Sequence, residues 1–229
     1  MNQELLDRVS AVRARLHDAA FERWGRVPEL IAVSKTVPAE RINPVIDAGI
    51  TRLGENRVQE IIEKMPYLNA SFQIDLIGRL QSNKVKYIID KVNMIQSLDR
   101  CSLAQEIDRR AQQRHLVMPV LIQVNIGRES QKGGIDEEEL LSFARYAASL
   151  PGLEVRGLMA VMPDLDDREA LRPYFVNMRR LFEMLRSEAI NGTKIEELSM
   201  GMSGDYDLAA EEGATMVRVG SAIFGSRKV

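Results

Sequence analysis

Short apolar runs rich in β-branched residues recur eight times along the chain, at positions 30–33, 51–54, 72–78, 93–98, 120–126, 155–160, 197–200 and 216–224. Runs of this length, bounded by turn-forming or polar residues, read as buried strands. Between them the apolar positions switch to a spacing of three and four. Segment 135–150 puts Leu140, Leu141, Phe143, Ala144 and Ala147 on one helical face, with Asp136 as candidate N-cap, Glu139 at the capping-box position and Pro151-Gly152 as the stop. Asp99 opens a similar pattern through Leu103, Ile107 and Ala111, and 171–190 makes a long amphipathic helix that ends at Asn191-Gly192. Residues 5–24, apolar at Leu5, Val9, Val12, Leu16 and Phe21, form an additional helix ahead of the first strand.

Strand and helix alternating through eight repeats predict an α/β protein, a single (β/α)8 TIM barrel with an extra N-terminal helix over 1–26 packed on it. A doubly wound sheet alternates in the same way, so closure rests on the count of eight and on where the unusual polar residues fall. Lys35-Thr36, Glu55-Asn56-Arg57, Gly78-Arg79, Asn125, Gly201 to Asp205 and Gly220-Ser221 each follow a predicted strand. A barrel gathers those strand ends on one face. With 229 residues and no linker or low-complexity tract, the chain reads as one domain over 1–229.

Charge removes several classes of function. Acids and bases nearly cancel, to a formal −2, and are interspersed, which is not the basic footprint of a nucleic-acid binder. No apolar stretch approaches the ~20 residues that cross a bilayer, and the start of the chain lacks the basic flank and apolar core of a secretion signal. A cytoplasmic protein acting on small molecules is expected. Cys101 is the single cysteine, expected to pack as a small apolar residue, and two separated histidines, His17 and a helix-ending His115, suggest neither a metal cluster nor a Ser–His–Asp or Cys–His group.

The candidate chemistry lies at the strand ends. Lys35 follows the apolar run of the first strand, where loss of hydration lowers an amine's pKa and favours attack on an aldehyde; the alternative is a stem along the sheet edge with the ammonium in water. Leu198-Ser199-Met200-Gly201-Met202-Ser203-Gly204-Asp205 makes a small-residue turn into a helix, exposing N–H groups and the Ser203 hydroxyl to an anion such as phosphate. Gly201 and Gly204 serve turn geometry equally well, with Ser203 as a helix cap. A second turn of this kind, Val219-Gly220-Ser221-Ala222, ends the next strand, and barrels commonly grip phosphate between the loops after strands seven and eight. Arg218 points into the barrel or toward the helices, facing a ring nitrogen, an anion or a carboxylate. Asn56 is an N-cap or a ligand contact, and Arg79 and Lys84 read as solvated surface charges.

Taken together, Ala32-Val33-Ser34-Lys35-Thr36, Gly54-Glu55-Asn56-Arg57-Val58-Gln59-Glu60, Ile77-Gly78-Arg79-Leu80-Gln81-Ser82-Asn83-Lys84, Val124-Asn125-Ile126 with Lys132-Gly133, Leu198 to Ser203 and Val217 to Gly225 resemble the pyridoxal phosphate homeostasis proteins, in order and at the expected spacing over 28–226. Their barrel is similar to the N-terminal barrel of alanine racemase, the type III fold of pyridoxal phosphate proteins. The resemblance implies pyridoxal 5′-phosphate held by Lys35 as a Schiff base, with Ser203, Gly204, Gly220 and Ser221 around its phosphate, Arg218 at the pyridine nitrogen, and Asn56 and Met200 lining the ring pocket. A permanently charged arginine at that nitrogen weakens the ring as an electron sink. The implied function is intracellular pyridoxal phosphate homeostasis by a monomer that buffers the cofactor or delivers it to apo-enzymes, with little or no turnover. A racemase-like enzyme is the alternative, and none of the five tyrosines stands in the motif that would supply its second acid–base group. The sequence departs from the family at the third strand, where Asp75, Leu76 and Arg79 replace the usual residues.

Overall fold

In the computed structural model, which describes residues 2–69, 72–129 and 131–225, the eight predicted strands close into one parallel barrel in chain order. The ends of the predicted 1–229 span lie outside the described residues. The strands are β1 (Glu29–Val33), β2 (Arg52–Glu55), β3 (Gln73–Leu76), β4 (Met94–Leu98), β5 (Met118–Val124), β6 (Leu153–Ala160), β7 (Thr193–Ser199) and β8 (Met216–Val219). Around them run α1 (Asn2–Trp24), α2 (Ala39–Asp47), α3 (Val58–Lys64), α4 (Cys101–Gln113), α5 (Leu140–Ala148), α6 (Arg168–Ser187), α7 (Tyr206–Glu211) and α8 (Ser221–Phe224). No helix is long and apolar enough to cross a membrane among the described residues.

Alternation along each strand divides the core in two. Leu30, Ala32, Val217 and Val219 face the surrounding helices and join the large outer core, whereas Ile31, Met94, Leu121, Met159 and Met216 form a separate cluster inside the barrel. Asp75, Gln96, Ser199 and Arg218 are buried on that inner face as well, so the barrel interior is partly polar. The β3–β4 link carries only a 3₁₀ helix, Ser82–Tyr87, in place of a full α-helix. That thins the outer layer on one side of the barrel mouth.

Several local expectations change. β8 stops at Val219, and the remainder of its predicted run is the glycine turn and α8. Asp136 precedes a 3₁₀ turn, Glu137–Glu139, without a side-chain cap bond, and Asp99 pairs with Arg100 while Arg100 takes the N-cap of α4. α6 begins three residues before its predicted start because Asp167 caps it, accepting from the Glu169 N–H at 2.9 Å. Arg57, not Asn56, holds the N-cap position of α3. Phe21 is 48% exposed and stacks on His17, since Ala20 takes the buried position of that turn. Cys101 is exposed, because the first residue of α4 faces away from the barrel. His115 stands just past the end of α4, after the Arg114 C-cap and in the left-handed region at φ 54°.

Candidate functional site

Parallel pairing sets the heights of the site residues. Val33 pairs with Gly54 and Ala32 with Val219, so beyond the strand ends the register carries Lys35, two residues past β1, toward Asn56 on one side and the Gly220–Ser221 turn on the other. Lys35, Gly220 and Ser221 line one cavity of about 700 Å3, together with Thr36, Val37 and Phe224. Its outer wall is added by Glu4 and Arg8 of α1 and by Arg41 of α2, which donates to the Phe224 carbonyl at 2.6 Å. Lys35 is half-buried there.

The turn that carries Lys35 is held on both sides. The Ser34 hydroxyl donates to Glu55 at 2.7 Å, and Lys64 donates to the Ser34 carbonyl at 2.8 Å and to Glu55 at 2.9 Å. On the far side the Thr36 N–H donates to Glu60 at 2.6 Å, and Glu60 is bound in turn by Lys64 at 2.7 Å. Thr36 sits at φ 62°, a conformation that a β-branched residue adopts only when its surroundings impose it. Burial pushes the Glu55 carboxyl above the usual range, with Ser34 and Lys64 opposing, while the hydrogen bonds from Lys64 and Thr36 outweigh the desolvation of Glu60 and hold it below.

Across the cavity the two glycine turns meet. The Gly220 and Ala222 N–H groups both donate to the Ser203 hydroxyl oxygen, at 3.0 and 3.2 Å. Two amides converging on one oxygen form the donor pattern that a phosphate oxygen satisfies. Gly201 opens its turn at φ 91°, and a Cβ there would lie 2.4 Å from that of Ala209, so only glycine fits. Gly204 is exposed with open space around it, contributing backbone alone.

Arg218 points inside the barrel, buried against Ser199 and Ala160, which resolves the two directions left open by sequence. Its guanidinium donates to the Ser199 hydroxyl and to the Ala160 carbonyl, both at 2.7 Å, and makes no ion pair among the described residues. Ser199 donates to Gln96 at 2.7 Å, and Gln96 donates to Asp75 at 2.6 Å. Asp75 also accepts from Arg52 at 3.3 Å, and Arg52 faces Glu29 at 3.2 Å near the opposite end of the barrel. Burial drives the Arg218 pKa down to about 10, which leaves it charged at neutral pH, and pushes Asp75 up to about 6 against the opposing pull of Arg52 and Gln96.

Not every predicted residue meets in one place. Lys35, Ser203, Gly220 and Ser221 do; Met200 is fully buried in the outer core, and Asn56 lines the neighbouring groove over β2 and β3. The third-strand departures separate as well: Asp75 joins the inner network, Leu76 the outer core, and Arg79 that groove. Sequence reasoning did not find Glu4, Arg8, Arg41, Glu60 and Lys64. Glu60 and Lys64 carried a detectable signal, an acid–base pair four residues apart that begins at the last residue of the Asn56 motif; the placement of α1 and α2 over the β8 end carried none.

The sequence model of the family described as "Alanine racemase, N-terminal domain" matches residues 8–228. A pyridoxal phosphate homeostasis protein from Aquifex aeolicus is 45% identical over 226 residues, 97% of this chain and 98% of that one. The structure of PipY from Synechococcus elongatus with PLP bound superposes with a TM-score of 0.85 at 33% identity, over 96% of this chain and all of that one. Alanine racemase from Clostridium difficile, 16% identical with a TM-score of 0.79 over 97% of this chain and 58% of its own, shares the fold. On a barrel that sets a strand-one lysine beside the glycine turns of strands seven and eight, these likenesses over nearly the whole length show that the chain belongs to the pyridoxal phosphate homeostasis protein family.

Proposed function

We propose that the chain binds pyridoxal 5′-phosphate at Lys35 and keeps it for storage and delivery to apo-enzymes rather than for turnover. The observation that carries this reading is the shared cavity of Lys35 and the Gly220–Ser221 turn, with the Ser203 hydroxyl drawing two N–H groups to one point. A primary amine and an oxygen-binding cradle facing one another match an aldehyde at one end of a ligand and a phosphate at the other. The binding of PLP by PipY supports the same reading. When bound, the cofactor supplies an aldehyde that couples reversibly to an amine.

The roles follow residue by residue. Lys35 supplies the amine, and Ser34, Glu55, Glu60 and Lys64 fix the turn that aims it. Ser203, Gly204, Gly220 and Ser221 receive the phosphate, with Arg8 and Arg41 adding positive charge at the cavity wall. Arg218 faces the ring nitrogen and withholds a proton from it, because a guanidinium with a pKa near 10 stays charged at neutral pH. Asn56 lines the neighbouring groove and Met200 lies in the outer core, so neither is assigned to the ring. Among the described residues the cavity wall holds no tyrosine, histidine or cysteine to act as a second proton-transfer group, and its one carboxylate, Glu4, is engaged by Arg8 at 2.6 Å. Weak electron withdrawal and the lack of a second base on that wall support a carrier rather than a turnover enzyme.

Absorbance spectra of the purified protein incubated with pyridoxal phosphate test the binding half. Wild type is expected to develop a visible band that Lys35→Ala lacks, and borohydride reduction followed by peptide mass mapping should mark Lys35. A wild type that stays colourless defeats the cofactor assignment. Exchange of amino-acid α-protons in deuterated buffer tests the carrier half, and rapid exchange defeats it while leaving binding intact.

A further inference from the structure

A second cavity, of about 1200 Å3, lies apart from the one that Lys35 lines. It lies over the ends of β2 and β3, between the start of α3 and the Ser82–Tyr87 helix, where the short β3–β4 link leaves the outer layer thin. Its charge is one-sided. Arg57, Arg79 and Lys84 line it, and none of the three makes an ion pair among the described residues. The nearby acid Glu60 is occupied by Lys64 and the Thr36 N–H, and Asp99 by Arg100. In a chain of net charge −2 such a cluster is a local excess of positive charge.

The walls are mixed in a way that favours a polypeptide. Apolar surface comes from Ile62, Leu80 and Tyr87, the last 43% exposed with Lys84 and Lys86 over its ring. Gln81 and Asn83 supply amides for backbone groups. The volume exceeds the ~300–1,000 Å3 typical of small-molecule pockets. Three cations that make no ion pair among the described residues, spread along a groove, match carboxylates spread along a chain better than they match one compact anion.

We propose that this groove docks an extended acidic segment of another protein. Asn56 lines the groove, and the Val33–Gly54 register carries it toward Lys35, so a docked segment lies on the Lys35 side of the barrel mouth. The docking stands on the groove alone; only its use in handing over the cofactor rests on the function proposed above.

The probe is a fluorescein-labelled octaglutamate peptide titrated with the pyridoxal phosphate-incubated protein at low salt and read by anisotropy. Saturable binding is expected, with affinity reduced about tenfold in Arg79→Glu/Lys84→Glu and unchanged in Lys35→Ala. Lys194→Glu, at the far end of the barrel, should bind as wild type does. The groove variant should keep its circular dichroism and cofactor absorbance, and Arg79→Gln/Lys84→Gln replaces it if the charge reversal does not fold. Absent binding, equal binding by the groove variants, equal weakening by Lys194→Glu, or tighter binding of a single-stranded RNA of the same charge overturns the proposal. Because peptide binding and cofactor absorbance are separate signals, failure of one is distinguishable from failure of the other.

Discussion

The side chain with most to do, Lys35, makes its position intelligible only through residues that are not beside it in sequence. Glu55 and Lys64 hold the Ser34 side of its turn and Glu60 the Thr36 side, all in contacts under 3 Å that are buried or half-buried apart from the exposed one at the Thr36 N–H. Breaking one partner of such a set leaves another charge buried and unpaired, a cost on the order of 3 kcal/mol. Lys64→Met is therefore expected to destabilise by about that amount and to speed loss of the cofactor, because the φ 62° at Thr36 relaxes once the clamp opens. Chemical denaturation and the decay of visible absorbance after dilution measure the two effects. Unchanged decay in a folded Lys64→Met would show that the clamp does not position Lys35. The motif around Asn56 was legible in sequence, yet this role of its last residue, Glu60, was not, since sequence supplies neighbours along a helix but not what the helix faces.

At the scale of elements, α1 shows how a helix outside the barrel pattern comes to serve the site. Its stripe of Leu5, Val9, Val12, Leu16 and Ala20 is buried, and its C-terminal end is tied to α7 by Trp24, which donates to the Glu211 carbonyl at 3.0 Å. Arg15 adds an ion pair to Asp207 on the same helix. Packing this stripe is what sets Glu4 and Arg8 at the cavity wall. Leu16→Ala removes a side chain that is 1% exposed, at an expected cost of ~2–4 kcal/mol, and should raise the dissociation constant for pyridoxal phosphate while Lys35 remains modifiable. Denaturant midpoints and a fluorescence titration check both; lost stability with unaltered affinity would confine α1 to packing. The helix itself was visible in the apolar spacing, apart from Phe21, whose exposure reflects a stripe that drifts by one position toward Ala20. Its destination was not visible, because amphipathicity fixes a buried face and not the surface it covers.

For the molecule as a whole, the polar interior of the barrel makes stability depend on pH in a definite direction. Asp75 is buried, one of its oxygens lacks a hydrogen-bond partner, and its pKa rises from 3.8 to about 6. The folded state thus binds this proton more tightly than the unfolded state does. The contribution is fully present below pH 3.8, falls as pH rises through about 6, and is absent at neutral pH. On the order of 2–3 kcal/mol separates the limits. Asp75→Asn keeps a neutral hydrogen-bonding group at that place and should flatten the stability profile between pH 5 and 7.5, giving a gain over wild type that is larger at pH 7.5, as followed by urea unfolding at ~1-unit intervals. A variant whose profile parallels wild type would assign the pH dependence elsewhere.

What the sequence by itself determined is the repeating frame: eight apolar runs, the helices between them, and the ends at which lysine, serine and glycine recur. These are local quantities, set by side-chain period and turn chemistry, so they survive without knowledge of the fold. The family could be recognised for the same reason, its motifs being short and in order. Tertiary structure alone decided that Arg218 points inward to Ser199 instead of to a carboxylate, that Asn56 and Arg79 open onto a separate basic groove, and that α1 walls the Lys35 cavity. Each depends on strand register and barrel closure, which bring together groups far apart in the chain and place every partner by distance through space.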